Sequence, residues 1–251
     1  MKNLRLIKYG ENDGFLNMAI DEALIGFVSR GISPATIRFY GWKPSCVSVG
    51  FFQSVNEEVN VNMARDLGVD IVRRYTGGGA VFHENEITYS IILPEKDVAK
   101  DIIESYSYIC QGIIFGLEGL GIKAAFKPIN DIIVNKKKIS GNAQTRKMGV
   151  VLQHGTVLVN VDVERMFSLL RVSKEKISDK DIENVNERVT WVKREVCRDV
   201  GLKEIEDCLI EGFSKALRCE LKLGALSFEE LEQALLISKE KYSTFKWNFW
   251  R

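Results

Sequence analysis

Four short runs rich in β-branched and aromatic residues (35–42, 46–52, 70–75 and 87–93) fall between one helical pattern near the N-terminus and another at 97–120. Their order lacks the strand–helix alternation of a parallel α/β sheet, and this predicts an α+β domain built on one mixed sheet flanked by helices. Asn12 and Asp13 are N-cap candidates for a first helix carrying Phe15, Leu16, Ala19, Ala23, Leu24 and Phe27, and Gly31 is placed to end it. Gly121 is the expected stop of the second helix, and two more strands are expected at 132–134 and 150–159. The polar, lysine-rich stretch 135–149 between them reads as a loop. Helices are expected at 163–170, 203–217 and 227–242, with a short strand at 219–222.

Three segments carry candidate chemistry. The first is Arg73-Arg74-Tyr75-Thr76-Gly77-Gly78-Gly79-Ala80-Val81-Phe82-His83. Three glycines in a row weaken a strand, so they imply positive φ or close approach of another group, and arginines beside exposed N–H groups suit a phosphate or carboxylate. A hairpin turn with solvated arginines explains the same residues equally well. The second runs from Asn130 and Asp131 through Lys136-Lys137-Lys138 to Ile139-Ser140-Gly141-Asn142-Ala143. Lys136 and Lys137 read as a solvated charge run, whereas Lys138, next to a small-residue turn, is placed to neutralise charge on a phosphate or an acyl oxygen. Asp131 is the nearest carboxylate for a magnesium ion. The third is Gln153-His154-Gly155-Thr156, a lone histidine in an apolar strand beside a glycine that permits close approach. Phosphate-loop, dinucleotide-fold, zinc-protease and nucleophile-elbow motifs are absent.

Composition removes other classes. Lys plus Arg at 35 against Asp plus Glu at 34 gives no basic field for nucleic acid. Hydrophobic residues at 45% without low-complexity tracts indicate a folded globular chain. No leader-like or membrane-length apolar run is seen, so a cytoplasmic protein is expected. Five cysteines without a close pair and only two histidines argue against a disulfide framework or a zinc site.

Taken together, the three segments and their spacing resemble the lipoate-protein ligase A family, as do Phe15–Glu22, the stretches around Ile37–Tyr40 and Gly50–Gln53, and Lys241–Asn248. The resemblance spans nearly the whole chain. It implies a single catalytic domain over 1–251 with the fold of biotin- and lipoate-protein ligases, related to class II synthetases. It also implies ATP, magnesium and lipoic acid as the small molecules. The expected carriers are a lipoyl domain of a 2-oxoacid dehydrogenase acyltransferase or the glycine-cleavage H protein. Carried onto this sequence, Arg73, Thr76, Gly77, Gly78, Gly79, Phe82, His83, Asn130, Asp131, Ser140, Gly141, Ala143, His154, Gly155 and Thr156 would bind acyl group or nucleotide. Lys138 would be catalytic, Asp131 would hold the metal, and the acyl tail would lie near Val72, Val81 and Leu152. The long form of the family continues into a small accessory domain, so a separate small partner is expected here. A second reading is an octanoyltransferase of the same fold, which Glu86–Ser90 and Ala143–Gly155 resemble. Such an enzyme passes the acyl group through a cysteine, and none stands near Asp131 or beyond His154 in the positions that branch uses.

Overall fold

The computed structural model describes residues 3–8, 10–171 and 188–251. A nine-stranded mixed sheet forms the centre, in the order β12(Glu220–Leu223), β1(Asn3–Ile7), β3(Thr36–Trp42), β7(Glu86–Pro94), β11(Val150–Leu158), β10(Lys137–Lys147), β9(Asp131–Val134), β8(Ala125–Lys127), with β2(Glu11–Asn12) also paired to β3. β12, β1 and β3 run parallel and the remaining steps from β3 to β8 are antiparallel. Helix α4(Ile102–Gly119) and the helix Leu202–Leu217 cover one face, and α1(Gly14–Ser29) with the helix Phe228–Ile237 covers the other. The first pair packs backbone to backbone: a Cβ at Gly212 would lie 2.3 Å from the Gly112 carbonyl oxygen.

Local chemistry explains the helix ends. Asp13 accepts from Leu16 N at 2.7 Å at the start of α1, and Gly31 stops it at φ +68. Asp101 caps α4 in the same way, and Gly121 follows its end at φ +81. The helix expected at 97–120 begins only at Ile102, after a 3₁₀ turn at Glu95–Asp97. The 227–242 pattern divides into the helix Phe228–Ile237 and a π-turn Ser238–Tyr242. None of the described helices is long and apolar enough to cross a membrane.

Two expectations are corrected. β4(Cys46–Val49) and β5(Asp70–Arg73) do not join the main sheet; with β6(Val81–His83) they form a separate three-stranded sheet, in the order β5-β4-β6. And 135–149 is not a loop. Most of it is the eleven-residue strand β10, paired on both sides, and its polar residues are tolerated because the strand forms a cavity wall rather than core.

Candidate functional site

The cavity lies where the small sheet meets the centre of the large one. It measures about 150 Å³ and is lined from β3 by Tyr40 and Trp42, from β4 by Ser48, from the glycine turn by Gly78 and Gly79, from β10 by Lys138, Gly141, Asn142 and Ala143, and from β11 by His154, Gly155 and Thr156. Met18, Arg74, Ala80, Val81, His83, Thr88 and Asn130 complete the wall.

Lys138 is aimed by its strand. The register of β9 against β10 shifts between Lys138 and Ser140, a bulge that sends Ile139 into the core and frees Lys138 to face the cavity. Its Nζ lies 2.6 Å from Asp131 Oδ1, with the lysine side chain 43% exposed. Residue 141 is glycine beneath this side chain, and a Cβ there would stand 2.7 Å from the lysine Nζ and push the ammonium aside. Asn130 and Asn142 clasp each other's carbonyls, and Tyr89 donates to Asn142 Oδ1 at 2.7 Å, so the loop before β9 is tied to the cavity wall.

The glycine turn is held by buried arginines. Arg74 donates to the carbonyls of Ser48, Gly77 and Gly79 and to Thr76 Oγ1. Burial pulls its proton affinity down to about 10. Gly78 sits at φ +98, a conformation that favours glycine, and its carbonyl oxygen would meet a Cβ at Gly50 at 1.9 Å. Arg73 is not in the cavity. It is fully buried and donates to the carbonyls of Gly50, Phe51, Gln53 and Asn248, tying the turn after β4 to the C-terminal segment.

A buried network anchors the turn to the large sheet. Asp21 of α1 accepts from Arg38 Nη1 at 2.9 Å, from Ser90 Oγ at 2.7 Å and from His154 Nδ1 at 3.2 Å, and His154 Nε2 meets Thr76 Oγ1 at 2.7 Å. Burial alone would raise the Asp21 carboxyl, but the His154 hydrogen bond and the Arg38 charge bring it below its ordinary value. Burial lowers His154 against the opposing pull of Asp21, so the ring is neutral, with Nδ1–H donating to the carboxylate and Nε2 accepting from Thr76. The sign follows. The unfolded histidine binds a proton near 6.5 and the folded one resists it until lower pH, so stability is lost as pH falls below about 6.5. Thermal midpoints measured from pH 8 to 5 are expected to fall over that window, and His154→Gln is expected to flatten the fall.

Of the sequence candidates, Gly78, Gly79, His83, Asn130, Lys138, Gly141, Ala143, His154, Gly155 and Thr156 share the cavity, and Asp131 touches it through Lys138. Thr76 and Gly77 belong to the turn and act through Arg74 and His154. Phe82 packs in the apolar cluster of the small sheet, Ser140 is fully buried, and Val72 and Leu152 lie in other apolar clusters, which leaves Val81 as the expected tail contact that lines the cavity. Sequence reading missed Asp21, Ser48, Glu86, Tyr40 and Trp42. Asn17 and Asp21, polar at an i,i+4 spacing inside the apolar stripe of α1, were the available signal. Among the described residues no group of three carboxylate, histidine or cysteine ligands exists. Asp131, the carboxylate expected to hold magnesium, is paired with Lys138.

The five cysteines stand outside the cavity lining. Cys46 is fully buried and burial pushes its thiol well up, while Cys110, reached by Gln153 Nε2 at 3.7 Å, is pushed up to about 12 by burial.

Residues 13–214 match the family described as lipoyl protein ligase A/B catalytic domain. Octanoyltransferase LipM of Lysinibacillus sphaericus is 35% identical, over 93% of this chain and 94% of the relative. Among solved structures, one of a bi-partite lipoate protein ligase and its E2 lipoyl domain from Thermoplasma acidophilum superposes with TM-score 0.88 at 30% identity, covering 99% of this chain and 97% of the other. A lipoate-protein ligase A bound with ATP superposes with TM-score 0.87 at 29% identity, covering 99% of both chains.

Proposed function

Because the chain belongs to the lipoyl protein ligase A/B catalytic-domain family, we propose that it activates lipoate with ATP and transfers the lipoyl group to a lysine of a lipoyl domain. The observation that carries this choice of donor is that no cysteine lines the cavity holding Lys138. Transfer through a thioester needs a thiolate within reach of the acyl group, and Cys46 and Cys110, the fully buried pair, are thiols that burial holds protonated. A lipoate carboxylate attacking the α-phosphate of ATP instead builds negative charge, which Lys138 neutralises. When the carrier lysine attacks the adenylate, the same ammonium sits beside the acyl oxygen as it becomes negative. Magnesium, where needed, would arrive with the ATP phosphates, and no step here is assigned to it.

Octanoyl transfer from a carrier-protein thioester is the second reading. The name of the LipM relative favours it, and on names alone it leads; the cavity chemistry is what weighs against it. The bi-partite Thermoplasma ligase supports including a separate small polypeptide and an E2-type lipoyl domain in the proposal. Mass spectrometry of a lipoyl domain tests the donor. Addition of lipoyl that requires ATP is expected, faster with a small partner than without, whereas octanoyl addition from octanoyl-carrier protein without ATP would establish the transferase.

A further inference from the structure

A second hydroxyl–imidazole–carboxylate chain reaches the cavity through Ser48 and His83, with Glu86 behind them. His83 is buried and stacked on Trp42, with ring centroids 3.9 Å apart and 17° between planes. Its Nδ1 meets Glu86 Oε1 at 2.8 Å, and its Nε2 meets Ser48 Oγ at 2.7 Å. Thr88 donates to the same carboxylate oxygen, and Arg74 Nη1 donates to Ser48 Oγ at 3.1 Å. These contacts set the roles: Nδ1–H donates to Glu86, and Nε2 accepts from the Ser48 hydroxyl. Glu86 Oε2 is buried without a hydrogen-bond partner, so the carboxylate keeps capacity to stabilise a cation beside it.

Whichever donor supplies the acyl group, the acceptor lysine is an ammonium near neutral pH, and it must lose a proton before its nitrogen can attack. Lys138 is itself a cation. His154 is lowered by burial, and its hydroxyl partner Thr76 does not line the cavity. His83 is the remaining imidazole on the cavity wall.

We propose that Ser48, His83 and Glu86 form the general-base relay of the transfer step. The incoming ammonium gives a proton to Ser48 Oγ as the serine proton passes to His83 Nε2. The freed nitrogen lone pair forms the C–N bond, and the bond from the acyl carbon to the leaving group breaks with its electrons on that group. The second excess proton on nitrogen goes to the leaving group, and the imidazolium returns its proton to solvent. Glu86 is a positioning residue that fixes the ring tautomer and stabilises the imidazolium. The charged and titratable groups around the ring are Glu86, Arg74, Lys138, His154 with Asp21, Tyr40, Cys46 across the β4–β6 pairing, and Glu84 held by Arg165. Among the described residues, the ring is hydrogen-bonded by Glu86 and Ser48.

The inference rests on the reading that a lysine is acylated here, and its test separates the two. Single-turnover transfer from prepared octanoyl-AMP to a lipoyl domain is followed against pH for the wild type, His83→Gln, Glu86→Gln and Ser48→Ala, with hydroxylamine, an amine already neutral near pH 7, as a second acceptor. The expected result is a loss of roughly 10²-fold or more in His83→Gln with the lysine acceptor. Its rate then climbs with pH where the wild type has levelled off, and hydroxylamine restores it to within a few-fold. Ser48→Ala, the smallest volume change, shows the same acceptor-dependent pattern. Equal losses with both acceptors and an unchanged pH profile would overturn the relay while leaving the acylation reading intact. Failure of the wild type to acylate a lipoyl domain from octanoyl-AMP or from an octanoyl thioester would overturn the acylation reading and the relay with it.

Discussion

Lys138→Ala is expected to lower lipoyl-AMP formation and carrier acylation together by roughly 10²–10³-fold, the usual cost of removing one group that stabilises developing negative charge. The fold should not suffer. The side chain is 43% exposed and its ion pair is with Asp131, itself 31% exposed, and such a partly solvated pair contributes at most about 1 kcal/mol. Lys138→Arg is expected to rescue little. The guanidinium is wider than an ammonium, and the space over Gly141 is so close that even a Cβ there would be 2.7 Å from the lysine nitrogen. Pyrophosphate release with ATP and lipoate measures the first step, and a thermal melt checks the fold. Activity within a few-fold of wild type would remove Lys138 from the chemistry.

Asp21→Ala is expected to be the most destabilising single change near the cavity. Asp21 is 2% exposed and holds a buried guanidinium, a serine and His154. Removing the carboxylate leaves Arg38, itself 3% exposed, as a buried cation with only the neutral oxygens of Asn17 to accept from it. Breaking a buried pair in this way costs about 3–5 kcal/mol. For a chain of this size that lowers Tm by roughly 6–20 °C. The surviving folded protein is expected to lose activity too, because His154 then has no partner at Nδ1 and Thr76 loses its fixed acceptor. An unchanged thermal midpoint would show that the network is not what anchors the glycine turn.

What the sequence made legible was local. Asp13, Gly31 and Gly121 act as read, because a cap or a stop depends on the few residues around it. Gly78 adopts positive φ as the triplet implied, and Lys138 stands apart from Lys136 and Lys137 on the cavity wall. Hydrophilicity misread β10, since the argument that polar residues avoid the core does not apply to a strand that walls a polar cavity. Pairing partners were equally hidden. Nothing local distinguishes β4 and β5 from the strands of the large sheet, and only the assembled fold shows that they turn away to carry Ser48 and Arg73. Arg73 shows the same limit: an arginine beside a glycine turn suggests an anion, yet its hydrogen bonds go to the backbone carbonyls of Gly50, Phe51, Gln53, Trp247 and Asn248. Asp21, Ser48 and Glu86 each lie inside an apolar element, where their chemistry appears only once α1, β4 and β7 converge.

The proposed ligase reaction carries the acyl group as an adenylate and leaves every cysteine free. Intact mass spectrometry of the protein under denaturing conditions, after incubation with octanoyl-carrier protein alone and separately with ATP and lipoate, separates this route from a thioester one. An unmodified chain is expected in both cases, with acyl-AMP released on denaturation only where ATP was present. A stable octanoyl adduct mapped to Cys110 or any other cysteine, competent to pass its acyl group to a lipoyl domain, would overturn the adenylate route.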